Sequence, residues 1–177
     1  MLPVLFISLL IRGSHQGCGQ LLRAVDLATS GGEEGGGPWV VALGVYVEGE
    51  LRVQCTGSLL APDTLVTAAH CFRAGYDVGA WVVRAGVSDQ RFSGVQETGI
   101  RRTVSHPDYS SPQVYYDVAL AVLEDRLPLG PSISTLCLPD ISYVLTMEGD
   151  SVTVQGWGQD DDGVIGQTLT EIEVAVR

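Results

Sequence analysis

Lysine is absent from this sequence: all 10 basic residues are arginine, and 21 acidic residues give a formal net charge of −11. The arginines form no cluster interleaved with aromatic side chains. Nucleic acid and anionic membrane are therefore poor partners, because each would bring a polyanion to an already acidic chain. The apolar run over residues 2–11 falls short of the ~20 residues that a membrane-spanning helix needs. No Cys-x-x-Cys pair occurs, and long helical periodicity is missing, so strands are left to build the core.

What is present suffices for one globular domain. The chain has 177 residues, 45% of them hydrophobic and 18% charged, enough to bury a substantial core. The run over residues 2–11 is followed by Arg12 and the small residues Gly13 and Ser14, which reads as a secretory signal peptide over 1–17. A buried amino-terminal strand is the alternative. The glycine-rich stretch from Gly31 to Gly37 reads as a flexible approach to the first strand. It lacks the strand–loop–helix setting of a phosphate-binding loop, so it offers no nucleotide site. Cys18, Cys55, Cys71 and Cys137 form an even set in a chain that reads as secreted, which favours two disulfides over free thiols or metal ligation.

Strand signals fall at 39–47, 51–60, 64–68, 80–85, 97–104 and 118–123, in short runs of Val, Leu, Thr and aromatics punctuated by Gly, Pro and Asp. Six such strands predict a closed antiparallel barrel. Two more, at 151–155 and 168–176, follow the loop around 128–139 and look like the start of a second sheet.

The stretch Cys55-Thr56-Gly57-Ser58-Leu59-Leu60 and then Leu65-Val66-Thr67-Ala68-Ala69-His70-Cys71 resembles the surroundings of the catalytic histidine in chymotrypsin-like (trypsin family) serine endopeptidases. Pro38-Trp39-Val40-Val41-Ala42-Leu43 resembles that family's first barrel strand. His106-Pro107-Asp108-Tyr109 resembles the surface loop before the catalytic aspartate, and Tyr116-Asp117-Val118-Ala119-Leu120 the segment that carries it. Cys137-Leu138-Pro139 and Gly156-Trp157-Gly158 resemble the interbarrel connection and the opening of the second barrel. These motifs stand in family order from about Pro38 onward.

The resemblance implies an all-β, chymotrypsin-like double antiparallel β-barrel over 38–177, with the first barrel complete and the second truncated, preceded by a propeptide-like linker over 18–37. It implies His70 as catalytic base and Asp117 as the acid that orients it. The chemistry makes sense of those residue types. A serine hydroxyl is a weak nucleophile at neutral pH until a base takes its proton, and imidazole is the side chain whose pKa suits that exchange. In the triad template, which was worked out on members of this family, an aspartate accepts from the second ring nitrogen and stabilises the imidazolium. A histidine on a surface turn and an aspartate at a strand end would be the bland alternative.

By the same resemblance, Cys55 pairs with Cys71, closing a loop of about fifteen residues worth roughly 3 kcal/mol and making the base rigid. Cys18 then pairs with Cys137 as a bridge from the propeptide-like segment, unless Cys18 is free or leaves with the signal peptide. Protein or peptide substrates and protease inhibitors are the implied partners, the implied location is extracellular, and no cofactor or metal is expected. His15 and His106 read as a signal-region residue and a structural loop residue. The segment between Gly86 and His106 offers only Asp89 and Glu97 as carboxylates, too few for calcium, and Asp160-Asp161-Asp162 reads as a solvated loop.

The nucleophile is the missing piece. Gly149-Asp150-Ser151 copies half of the family's Gly-Asp-Ser-Gly-Gly-Pro, but Val152-Thr153-Val154 follows where two glycines would turn the backbone and aim its amides at an oxyanion. Ser151 also precedes Gly156-Trp157-Gly158, whereas the family's nucleophile follows that motif. It reads as the first residue of a strand. Losing the serine from such a triad costs on the order of 10⁶ in turnover, so these 177 residues alone are expected to be inactive. Arg23, followed by Ala24-Val25-Asp26-Leu27, is the only basic residue between Cys18 and Pro38 and makes an atypical activation site. Two readings stand: a secreted trypsin-type endopeptidase represented by an incomplete chain, and a noncatalytic protease homologue that acts as a binding module.

Overall fold

Periodicity of two places small and branched side chains on the inner face of strand after strand, and those strands can bury that face only by closing on themselves. The computed structural model describes residues 37–73, 75–86, 95–111, 113, 115–138, 151–157 and 169–175. In it, β1 (Val40–Val47), β2 (Glu50–Ala61), β3 (Thr64–Thr67), β4 (Trp81–Ala85), β5 (Gln96–Ser105) and β6 (Ala119–Leu123) form a closed barrel in the order β1-β2-β3-β6-β5-β4. Every neighbouring pair is antiparallel, and β4 returns to β1 through the register Val41↔Ala85 to Val45↔Trp81. Each strand lies within one residue of its expected bounds.

Alternation fills the barrel. Trp81, Val83 and Ala85 of β4 and Ala121 and Leu123 of β6 point inward, where they meet Leu43, Leu59, Leu65 and Ile100. The first strand departs from alternation because it is buried on both faces. Val41, Leu43 and Val45 enter the barrel core, whereas Val40 and Ala42 join a second cluster with Trp39, Val53, Trp157 and Leu169. That explains its unbroken apolar sequence, which a half-exposed strand would not need. A bulge falls between Leu43 and Gly44, and only glycine fits there, since a Cβ at Gly44 would lie 2.5 Å from the carbonyl oxygen of Arg52.

The second cluster attaches a two-stranded antiparallel sheet, β7 (Ser151–Gly156) and β8 (Thr170–Ala175), whose register runs from Ser151↔Ala175 to Gly156↔Thr170. Buried Gln155 fastens it further: its Oε1 accepts from the Gly37 amide at 3.2 Å and its Nε2 donates to Glu171 at 2.9 Å. The segment before Cys137 lies along the barrel, with the Ser134 amide donating to Pro38 (2.9 Å) and the Leu136 amide to Leu59 (2.7 Å). No helix among the described residues is long and apolar enough to cross a membrane.

Leu65 is fully buried at the centre of the barrel core. Leu65→Ala should lower the unfolding free energy by about 2–5 kcal/mol, read from urea titration. A loss below about 1 kcal/mol would show that this position is not tightly packed.

Candidate active site

The site is built where two strands end together. β3 pairs with β6 in the register Thr67↔Ala119 at one rim of the barrel. His70 follows three positions after Thr67 on a 3₁₀ turn (Ala69–Arg73), and Asp117 precedes Ala119 by two. Strand pairing therefore brings together residues that are 47 apart in sequence.

Each residue around the histidine has a physical task. Thr67 is buried, and its hydroxyl donates to the Thr56 carbonyl of β2 at 2.9 Å, which satisfies a polar group at the end of the barrel core. Ala68 and Ala69 are each 1% exposed, so the turn packs against the barrel where bulkier side chains would not fit. Cys71 is bonded to Cys55 of β2 with Cα atoms 6.3 Å apart, as expected for this pair. Arg73 lies over the Tyr109 ring at 5.3 Å, a cation–π contact that ties the turn to the loop preceding Asp117.

Asp117 uses both carboxylate oxygens on one residue. Oδ1 accepts the backbone N–H of His70 at 2.8 Å, and Oδ2 lies 2.6 Å from its Nδ1. A carboxylate can only accept, so the proton of that contact sits on Nδ1, which in the neutral ring leaves Nε2 unprotonated, 3.7 Å from the Cys71 sulfur. The side chains are 29% and 16% exposed, so the pair is half-sheltered while the ring stays within reach of solvent. Its backbone is equally constrained: the Val118 amide donates to the Tyr116 carbonyl at 2.8 Å, closing a γ-turn around Asp117.

Metal binding does not suit these residues. Donor atoms of Cys55, His70 and Cys71 lie within 4.8 Å of one another, but both sulfurs belong to one disulfide and neither is a thiolate. Glu97 is already engaged by Arg84 and by the Tyr46 hydroxyl (3.1 Å), so it is no free calcium ligand. Ser151 is the first residue of β7, as expected, with Ala175 opposite. Cys137 is disulfide-bonded. Its expected partner Cys18 lies outside the described residues, as do the signal region, His15, Arg23, Asp89 and Asp160 to Asp162.

The family model described as Trypsin matches residues 28–177. The chain belongs to the trypsin family. Its fold is accordingly all-β and chymotrypsin-like, with the first barrel closed and the second represented by two strands among the described residues. Similar proteins include the Suppressor of tumorigenicity 14 protein homolog of Bos taurus, 30% identical over 87% of this chain and 19% of that protein. Serine proteinase stubble of Drosophila melanogaster is 34% identical over 70% of this chain and 16% of its own length. Transmembrane protease serine 11E of Mus musculus is 34% identical over 68% and 28% respectively. The chain thus spans between 16% and 28% of these relatives. Proteolysis of protein substrates by serine proteases is the chemistry of that family.

For this trypsin-family chain, replacing Cys55 and Cys71 together by alanine should remove about 2–4 kcal/mol of stability, measured by denaturant titration against the oxidised parent. A change under about 1 kcal/mol would mean that the loop is held mainly by other contacts.

Proposed function

We propose that the protein is a trypsin-type serine endopeptidase in which His70 is general base and then general acid, and Asp117 holds its tautomer. The observation that carries this reading is the double contact of one carboxylate with the amide and the Nδ1 of one histidine, at 2.8 and 2.6 Å. With Nδ1–H committed to Asp117, Nε2 takes the proton of a serine hydroxyl as that oxygen attacks the scissile carbonyl. Asp117 stabilises the resulting imidazolium, which then gives the proton to the leaving amine. These 177 residues contain no Gly-Asp-Ser-Gly-Gly-Pro, so nucleophile and oxyanion amides would have to be supplied by sequence beyond them.

The Cys55–Cys71 bridge and the oxidised state of Cys137 support folding in an oxidising compartment. That fits a secreted protein with a signal peptide over 1–17, a propeptide-like linker over 18–37 bridged from Cys18 to Cys137, and a peptidase domain from 38 onward. Proteins or peptides are the proposed substrates, and protease inhibitors the proposed ligands of the same surface. The atypical activation sequence Arg23-Ala24-Val25-Asp26-Leu27 favours one second reading, a noncatalytic homologue that binds through the barrel surface.

The coding sequence beyond Arg177 separates the two: an in-frame Gly-Asp-Ser-Gly-Gly-Pro supports the peptidase, and a stop codon supports the binding module. The 177-residue polypeptide should stay unlabelled by a fluorophosphonate probe, and covalent labelling at Ser151 would overturn the assignment. In a form that carries the serine, Asp117→Asn should lower kcat by about 10⁴, the magnitude known for this change within the family. Single-turnover kinetics would read it, and a loss below about tenfold would remove Asp117 from the triad.

A further inference from the structure

We propose that His106 is a positioning residue for Asp117, acting through the ring of Tyr116. The residue before Asp117 is under backbone strain. Tyr116 has φ of 54°, in the left-handed region that a bulky side chain rarely enters and keeps only when its surroundings hold it there. Its ring is largely exposed, so barrel packing does not supply that hold. His106 does: the two rings stack with centroids 4.7 Å apart and planes 10° from parallel.

His106 is itself fixed on three sides. Its amide donates to the Val118 carbonyl at 2.9 Å, and its carbonyl accepts the Tyr109 amide at 3.0 Å. Its Nδ1 accepts the Asp108 amide at 3.1 Å, which sets the rotation of the ring. Asp117 therefore sits between two residues that both lean on His106, Tyr116 by its ring and Val118 by its carbonyl. Because both carboxylate oxygens are spent on His70, relaxation of φ at Tyr116 would move them off two partners at once. The functional meaning of this device rests on the reading of His70 and Asp117 as a catalytic pair, but its geometry can be tested without activity.

The test is amide hydrogen exchange in the 177-residue protein, followed at His70, whose N–H donates to Asp117, and at Val118. His106→Ala should speed exchange at both amides by at least about tenfold relative to amides of β1 and β2. His106→Phe keeps a stacking ring and should stay within about threefold of the parent. In a Tyr116→Gly background, which relieves the strain and removes the ring, His106→Ala should add no further change at His70. Equal protection at His70 in the parent and His106→Ala would overturn the positioning role, as would His106→Phe behaving like His106→Ala. Should His106→Ala unfold the chain, His106→Leu, which keeps bulk without a stacking ring, takes its place in every comparison. An unprotected His70 amide in the parent would instead sink the His70–Asp117 pairing and with it the proposed function.

Discussion

The pairing of β3 with β6 is the constraint on which everything else at the site rests. Thr67 and Ala119 face each other at the rim, so the two segments that leave these strands start from one place and need to travel only two or three residues to meet. A one-residue slip would turn the inward side chains of the shifted strand to solvent, which the barrel core forbids. Hydrophobic packing thus fixes a polar geometry. The register that sets imidazole against carboxylate is held by Leu65, Ala121, Leu123 and their neighbours in the barrel core.

Around that register the structure adds independent ties, each of a different chemical kind. A disulfide fixes the histidine turn to β2, a cation–π contact joins it to the loop preceding Asp117, and a buried hydroxyl closes the end of the strand. Such redundancy fits the role proposed for His70, because catalysis by positioned groups loses heavily on a displacement of about 1 Å.

Much of this was legible in the residues themselves. Short runs of Val, Leu, Thr and aromatics bounded by Gly, Pro and Asp located all six barrel strands within a residue, because branched side chains favour the pleated backbone and turn residues end it. The His70, Asp117 and Cys55–Cys71 assignments came from motifs, and the geometry brings the first two together and joins the second two. The 3₁₀ turns at Ala69–Arg73 and Val78–Ala80 were not legible, since runs of three to five residues leave no periodicity. Nor were the Arg73–Tyr109 contact, the Thr67–Thr56 bond and the left-handed φ of Tyr116. The first two depend on long-range placement, and tyrosine gives no sign of a conformation for which glycine or asparagine would be the usual marker.

The side-chain amide of Gln155 has a consequence of another sort. It bonds Gly37, just ahead of the first barrel strand, on one side and Glu171 of the second sheet on the other. Tension on the chain just ahead of β1 would therefore reach β7 directly through one buried hydrogen bond, beside the cluster that holds Trp39 with Trp157 and Leu169. A load applied at Gly37 is thus shared between the barrel wall and β7, and Gln155 passes it on to β8 through its bond to Glu171.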